Sequence, residues 1–450
     1  MNNILAITAL MVMAGGAYAD DFRDLAVEAS DLKAIFQAES IIAEPVMIRA
    51  EKKTPAAEIQ VQVNPKKPES GFVSGTERKD YIRKASLWVP EESLNTEAID
   101  FRRGPFIPMK YLPEELETCR YIPMAVAYAD RPTNGRTFTN GNSPKFKCES
   151  QEGKKLKVKY GFENGDGEMF SEVAASWLLT AIGAYADRMY PVRLDCPDCP
   201  SNPFHSETDR GAWLKGTRVA VEDKIGERIE NKTDSGVGFN EFHLIEDRVG
   251  AEALIGLAHF LAYGDSKAAN QAIACLAKDT VADPATGKAE CLKPMILMQD
   301  MGVSFGNGAS LVSFKKAHMD YDGWAKKKMW EDPAECILHI KPSFTNVISS
   351  LQGVDSSNRN LQQIGEKARQ MLVRRLSLLS RIQLIDLFTA ARAPDRKPKH
   401  SAEEWADLFL RKVEELRSPM PMKNGKAFAC PYPIVPANST QQPGDYGDRN

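Results

Sequence analysis

Two short segments concentrate side chains suited to phosphate chemistry. The first is Tyr263-Gly264-Asp265-Ser266-Lys267-Ala268-Ala269-Asn270, and the second is Leu297-Met298-Gln299-Asp300-Met301-Gly302. Upstream of both stand Lys159, within Lys157-Val158-Lys159-Tyr160-Gly161, and Glu172. Phosphoryl transfer asks little covalent work of a protein and a great deal of positioned charge. A carboxylate orients the incoming hydroxyl, while an Asn and a second carboxylate hold a divalent cation against the triphosphate. A Lys neutralises phosphate oxygens, and an acid holds that Lys in place. The set supplies each of these groups, and the short run from Asp265 to Asn270 lets one loop present both its ends to a single centre.

Such side chains need elements to carry them. Residues 146–148 and 156–160 read as two strands joined by a turn through Gly153. Residues 172–182 read as a helix ended by Gly183, with Glu172 at its start. Residues 189–194 and 218–224 read as further strands, and 248–262 as a strongly apolar, buried helix. Short apolar strands follow at 273–276 and 295–299, around a polar hairpin containing Asp283-Pro284 and Gly287. Beyond residue 360 the pattern is helical, at 361–379, 381–393 and 402–416. Strands with one helix come first and helices dominate afterwards, which predicts an α+β arrangement in two lobes. The two segments named above fall at its joints, one after the buried helix and one after the hairpin.

The start of the chain carries a different signal. Residues 4–13 form an uncharged apolar run too short to span a bilayer. Ala17-Tyr18-Ala19 then gives the small-x-small pattern of signal-peptide cleavage, followed by Asp20. A signal peptide over 1–19 is therefore expected, with the mature protein secreted or periplasmic and without a membrane span. The n-region has no Lys or Arg, which is atypical. A short helix at 22–38 and a Pro-, Lys- and Glu-rich linker occupy the rest of 20–100, and 437–450 reads as a disordered tail.

The chain has 450 residues, 43% hydrophobic and 26% charged, enough apolar content for one large or two moderate domains. Formal net charge is -3 with the two signs well mixed, so no nucleic-acid footprint is present. Eight cysteines, an even number, fit disulfides in an exported chain. Cys196-Pro-Asp-Cys199 reads first as a structural disulfide; half of a zinc site or a redox pair are the alternatives. Cys275 and Cys291 flank the polar hairpin, so pairing of their neighbouring strands would bring them together as a second disulfide. His259 reads as a core residue of the buried helix, and no G-x-S-x-G nucleophile elbow occurs.

From about 101 to 436 the chain resembles a divergent, atypical member of the protein-kinase-like superfamily. Asp265-x-Lys267-x-x-Asn270 matches the core of a kinase catalytic loop, and Asp300-Met301-Gly302 matches the D-x-G that follows it. Val158-Lys159-Tyr160-Gly161 followed by Glu172 is similar to lipid kinases. Glu172-Val-Ala-Ala-Ser-Trp-Leu-Leu resembles the early helix of persister-toxin kinases. Golgi-type secreted kinases and spore-coat kinases use this fold on exported chains. The resemblance implies a small strand-rich N-lobe over about 101–235 and a mostly helical C-lobe over about 236–436. By it, Asp265 is the base or hydroxyl-orienting residue and Lys267 contacts the transferred phosphoryl group. Lys159 binds phosphate and pairs with Glu172, and Asn270 and Asp300 ligate Mg²⁺ or Mn²⁺ beside ATP. Alternation alone does not choose between Lys157 and Lys159, which face the same way on a strand; the following Tyr160-Gly161 favours Lys159.

Departures are equally specific. No clear G-x-G-x-x-G loop is present, Asn140-Gly141-Asn142-Ser143-Pro144 being the only candidate. Tyr263 takes the place of the loop His, an insert from Cys275 to Cys291 separates Asn270 from Asp300, and no A-P-E motif follows. The expected function is an exported ATP-dependent phosphotransferase acting on a hydroxyl of protein, lipid or glycan. The alternative is a secreted pseudokinase or envelope interaction protein without turnover.

Overall fold

The structure is a computed structural model, and it describes residues 75–127, 144–161, 168–202, 206–210, 214–229, 236–263, 268–282, 289–307, 318–339, 363–395, 399–420 and 428–431. The chain divides into two units, 1–66 with 311–314 and 67–310 with 315–450. All described residues belong to the second. The expected signal peptide, the 22–38 helix, the 437–450 tail, residues 140–143 of the candidate glycine loop and the pair Asp265 and Lys267 lie outside the described residues.

Mixed α and β structure is found, strand-rich first and helical later. Five strands close into a barrel: β1 (Leu116–Ile122), β2 (Lys145–Ser150), β3 (Lys155–Lys159), β4 (Arg188–Asp195) and β5 (Thr217–Asp223), in the order β1-β2-β3-β5-β4. Four of the five seams are antiparallel; β1 and β4 close the barrel in parallel, with Leu116 opposite Arg193. Closure was not legible in the sequence, because β1 (LETCRYI) shows no clean alternation. Across four strands Phe146, Val158, Val221 and Tyr190 stand opposite one another, and all are buried. The period of two sends the next residues to the other face. There one row reads Lys145, Lys159, Ala220, Pro191 and the adjacent row Lys147, Lys157, Glu222, Met189.

Helix α1 (Glu168–Ala181) runs between β3 and β4. It begins four residues before Glu172, so that carboxylate lies in the second turn rather than at the start, and most of the helix is buried. Trp177 Nε1 donates to the Met189 carbonyl at 2.8 Å, and Ser176 Oγ to that of Asp187 at 2.7 Å, fixing α1 on β4. Gly183 follows at φ +80°, a left-handed position that Gly adopts without strain.

Helix α2 (Arg248–Phe260) is capped by Asp247, whose carboxylate accepts from Gly250 N at 2.8 Å. Strands β6 (Glu227–Arg228), β7 (Gln271–Cys275) and β8 (Met295–Met298) form a small sheet with β7 in the centre. Helices α3 (Glu366–Leu376), α4 (Arg381–Ala390) and α5 (Ala402–Arg417) follow. Capping boxes start α4 at Ser380 with Gln383 and α5 at Ser401 with Glu404. Helix α3 starts later than expected, after Gly365, and α2 and α4 end two and three residues earlier than the apolar pattern suggests.

The stretch read as linker up to residue 100 is structured from Gly75 onward. Gly75–Lys84 is a helix, and Ile82, Leu87 and Trp88 are buried in the core. Ser86 N donates to Pro294 O and accepts Ile296 N through its carbonyl, so this segment lines the edge of β8. The charged residues between these apolar positions gave the segment its linker-like composition.

All eight cysteines pair at disulfide distance: Cys119–Cys148, Cys196–Cys199, Cys275–Cys291 and Cys336–Cys430. Cys196–Cys199 is thus a disulfide rather than a zinc half-site. Cys275–Cys291 pairs as expected, but by a different route. Cys291 sits on a minor hairpin opposite Thr280, whereas the strand of Cys275 pairs with β8, Ala274 opposite Met295. Among the described residues no helix is long and apolar enough to cross a membrane.

Candidate functional site

Lys159 ends β3 on the polar face of the barrel, where register decides its partner. Lys157 stands directly opposite Glu222 and its ammonium bonds that carboxylate. Lys159 stands opposite Ala220, whose methyl offers it nothing, and it reaches instead to Glu172 on α1. Both partners are almost wholly buried, Lys159 at 3% and Glu172 at 2% exposure. The expected choice of Lys159 over Lys157 is the arrangement found.

Asp300 completes the cluster. It follows β8 by two residues, and its Oδ1 lies 3.5 Å from Lys159 Nζ. One ammonium therefore stands between two carboxylates from elements far apart in sequence. Burial opposes the charge on Lys159, but Asp300 and Glu172 hold its pKa well above the usual lysine range. Burial alone would raise the Asp300 carboxyl; Lys159, then Lys157, overcome it and hold Asp300 well below the usual carboxylate range. Burial pushes Glu172 up, against the pull of Lys159 and with the help of the Asp300 charge. The cluster thus keeps a protonated lysine beside an ionised Asp300, whose side chain is half-buried.

Asn270 closes a short 3-10 turn, Ala268–Asn270, immediately before β7. The β7–β8 ladder runs from Met295 opposite Ala274 to Met298 opposite Gln271, and Gln299 N then donates to Asn270 O at 2.9 Å. Asn270 and Asp300 therefore sit at the same end of one hairpin despite the insert between them. Both offer hard oxygens, and Asp300 is held ionised, which fits Mg²⁺ or Mn²⁺. Among the described residues no group of three His, Cys, Asp or Glu forms a metal cluster.

Three supports were not foreseen. The Tyr263 hydroxyl donates to the Asp300 carbonyl at 2.9 Å. Arg228 Nη2 donates to both carboxylate oxygens of Asp187, at 2.7 and 2.5 Å, with both side chains largely buried, and Arg228 Nε reaches Gln299 Oε1 at 3.3 Å, next to Asp300. Ser171 on α1 donates to Ser304 O at 2.8 Å and accepts Ser304 N at 3.1 Å, tying the segment after Asp300 to the helix of Glu172. Gly302 permits that approach, because a Cβ there would lie 2.0 Å from Glu168 Cγ. An aromatic in place of the loop His was visible in the sequence as a departure; the Asp187–Arg228 pair, 41 residues apart, left no local mark.

His259 is half-buried on α2, and burial lowers its pKa to about 3, in keeping with a neutral packing residue.

No family model and no curated protein matches the chain. Among solved structures, a Helicobacter pylori proinflammatory kinase, CtkA, is similar at a TM-score of 0.31 and 11% identity, over 63% of this chain and 91% of that one.

Proposed function

We propose that the protein is an exported, kinase-like phosphotransferase of two lobes that uses ATP with Mg²⁺ or Mn²⁺ and delivers phosphate to a hydroxyl acceptor. The observation that carries the reading is the buried Lys159–Glu172 pair with the Asp300 carboxylate 3.5 Å from the same ammonium. A lysine kept protonated in a partly dry site, beside an acid kept ionised, is what a metal–triphosphate requires. Lys159 binds phosphate oxygens, Glu172 fixes its position, and Asn270 with Asp300 holds the divalent cation, which when bound neutralises phosphate charge. Asp265 orients the acceptor hydroxyl and takes its proton, while Lys267 steadies the transferred group. The four cysteine pairs accord with an oxidising compartment and so with export.

The test is transfer of labelled γ-phosphate from ATP with Mg²⁺ or Mn²⁺, either to the protein itself or to hydroxyl-bearing protein, lipid and glycan acceptors. Wild-type protein should transfer label, and Asp265→Ala should abolish transfer while keeping nucleotide binding. Metal-dependent ATP binding with no transfer to any acceptor would point instead to a pseudokinase. No binding would overturn the proposal.

A further inference from the structure

Three arginines converge on one carboxylate where the barrel meets the end of α4. Arg193 on β4 and Arg218 on β5 stand directly opposite each other in the ladder, a like-charge pair that costs stability unless an anion lies beside it. Glu114, two residues before β1, supplies that anion: its Oε2 lies 3.1 Å from Arg193 Nε and 3.3 Å from Arg218 Nε. Arg392, two residues after α4 and only 5% exposed at its side chain, donates from Nε to Glu114 Oε1 at 2.7 Å. Arg218 Nη1 also donates to Asp395 at 3.2 Å, so three cations meet two carboxylates. A cavity of about 510 Å³ opens beside them, lined by Glu114, Arg218, Arg392, Asp395 and Thr389. Arg102 reaches the same cavity and is answered by Asp100 and Asp386.

We propose that this cavity is a binding site for a small molecule bearing a phosphate or carboxylate group, whose oxygens take the place of Glu114 between Arg193, Arg218 and Arg392. The site shares no residue with the Lys159–Asp300 centre and does not rest on the function proposed above. Glu114 fills its position poorly. Its Oε2 is buried yet accepts no hydrogen bond, because the two Nε–H groups lie at ion-pair distance without the alignment a hydrogen bond needs. Its backbone is left-handed at φ +61°, and so is that of Arg392 at φ +58°, a conformation that residues other than Gly keep only under constraint. An oxyanion free of that backbone can align with the donors that Glu114 misses, since guanidinium groups match carboxylate and phosphate oxygens in pairs. The Glu114 side chain is 38% exposed and has solvent to swing into. Arg392 keeps its place meanwhile, because its guanidinium also lies over the Phe170 ring of α1, 5.8 Å from the centroid. The cavity is of the size that small-molecule ligands occupy.

The experiment is calorimetric titration of the full chain with inorganic phosphate and, separately, with citrate, in the absence of divalent metal. Wild type is compared with Arg218→Met, Arg193→Met and Glu114→Gln, and unfolding curves run in parallel check that each variant is folded. Wild type should bind at least one of the two anions, and the tighter of them tells a phosphate ligand from a carboxylate one. Arg218→Met and Arg193→Met should each weaken that binding about tenfold, the size of one lost charge-assisted hydrogen bond. Glu114→Gln removes the competing charge and should tighten it by about the same factor. Failure of wild type to bind either anion would overturn the proposal. So would binding that the folded arginine variants leave unchanged, which would place the anion elsewhere. Equal or weaker binding in Glu114→Gln would also overturn it, by showing that the ligand does not compete with that carboxylate.

Discussion

The Tyr263 hydroxyl donates to the backbone carbonyl of Asp300 at 2.9 Å, joining the end of α2 to the residue that faces Lys159. Tyr263 is itself only 8% exposed, so the bond is shielded and holds the carbonyl at a fixed distance from the chain that leads to Asp265. One side chain thereby links the two segments that carry the candidate chemistry.

Removal of that hydroxyl should loosen Asp300 without unfolding the protein. Tyr263→Phe is expected to cost about 1 kcal/mol of stability, the net worth of a typical intramolecular hydrogen bond. It should also weaken metal-dependent ATP binding more than it weakens adenosine binding. Urea unfolding and calorimetry read the two effects. Unchanged ATP affinity would show that the tyrosine only packs.

Lys159 and Glu172 should behave as one unit. Loss of Lys159 leaves Glu172 buried beside Asp300 with no cation between them, a penalty on the order of 3 kcal/mol, whereas loss of Glu172 costs less because Asp300 stays 3.5 Å from the ammonium. A double-mutant cycle on Lys159→Met and Glu172→Gln should give a coupling of about 1 kcal/mol or more. The same cycle on Lys157→Met with Glu172→Gln should be close to additive, because Lys157 is engaged with Glu222. Stronger coupling from Lys157 would contradict the observed pairing.

That pairing also marks how far the sequence could be read. The order of strands and helices, and the residues Lys159, Glu172, Asn270 and Asp300, followed from periodicity and from short motifs. The choice between Lys157 and Lys159 did not follow from alternation, since both face the same way; the following Tyr160-Gly161 favoured Lys159, and the physical reason lies in what stands opposite them, Glu222 against Ala220. Such cross-strand partners sit more than sixty residues away and leave no local signal. The same holds for Asp187 with Arg228 and for closure of the barrel by β1 on β4. The Gly75–Lys84 helix was hidden for another reason: its charged residues outnumber the apolar ones, and its place is fixed by tertiary contacts such as Arg78 with Glu241 at 2.6 Å.

The Cys275–Cys291 bridge spans 16 residues and lies within the insert between Asn270 and Asp300. Its removal by Cys275→Ser with Cys291→Ser should destabilise the protein by about 3 kcal/mol in the chain-entropy model. Urea unfolding of the double variant against wild type reads this value. Peptide mapping without reduction should recover the two cysteines joined, and a different partner for either would contradict the structure.

Stability should fall as pH rises through neutrality because of Glu252. This carboxyl on α2 is 7% exposed, and its Oε2 accepts Gly365 N at 3.0 Å at the start of α3. Burial raises its pKa from the ordinary 4.5 to about 7, against the pull of that backbone N–H and of Arg248. A carboxyl with a raised folded pKa binds its proton more tightly when folded, so its contribution is present in full below about 4.5 and is lost as pH passes 7. The loss across that window is on the order of 3 kcal/mol. Glu252→Gln keeps an acceptor for Gly365 N, and it should flatten the profile and gain stability at pH 8. An unchanged slope between pH 5 and 8, measured at about those values by denaturant unfolding, would assign the dependence elsewhere.

The central claim is that Lys159, Glu172 and Asp300 together receive a metal-bound nucleotide, and binding of ATP with and without Mn²⁺ tests it most directly. Calorimetry on wild-type protein should show binding that needs the metal. Asp300→Asn, which keeps size and shape but removes the charge beside Lys159, should lose the metal dependence and at least about tenfold in affinity while its unfolding curve stays cooperative. ATP affinity in Asp300→Asn equal to wild type, or no ATP binding by wild type at any metal concentration, would contradict the account.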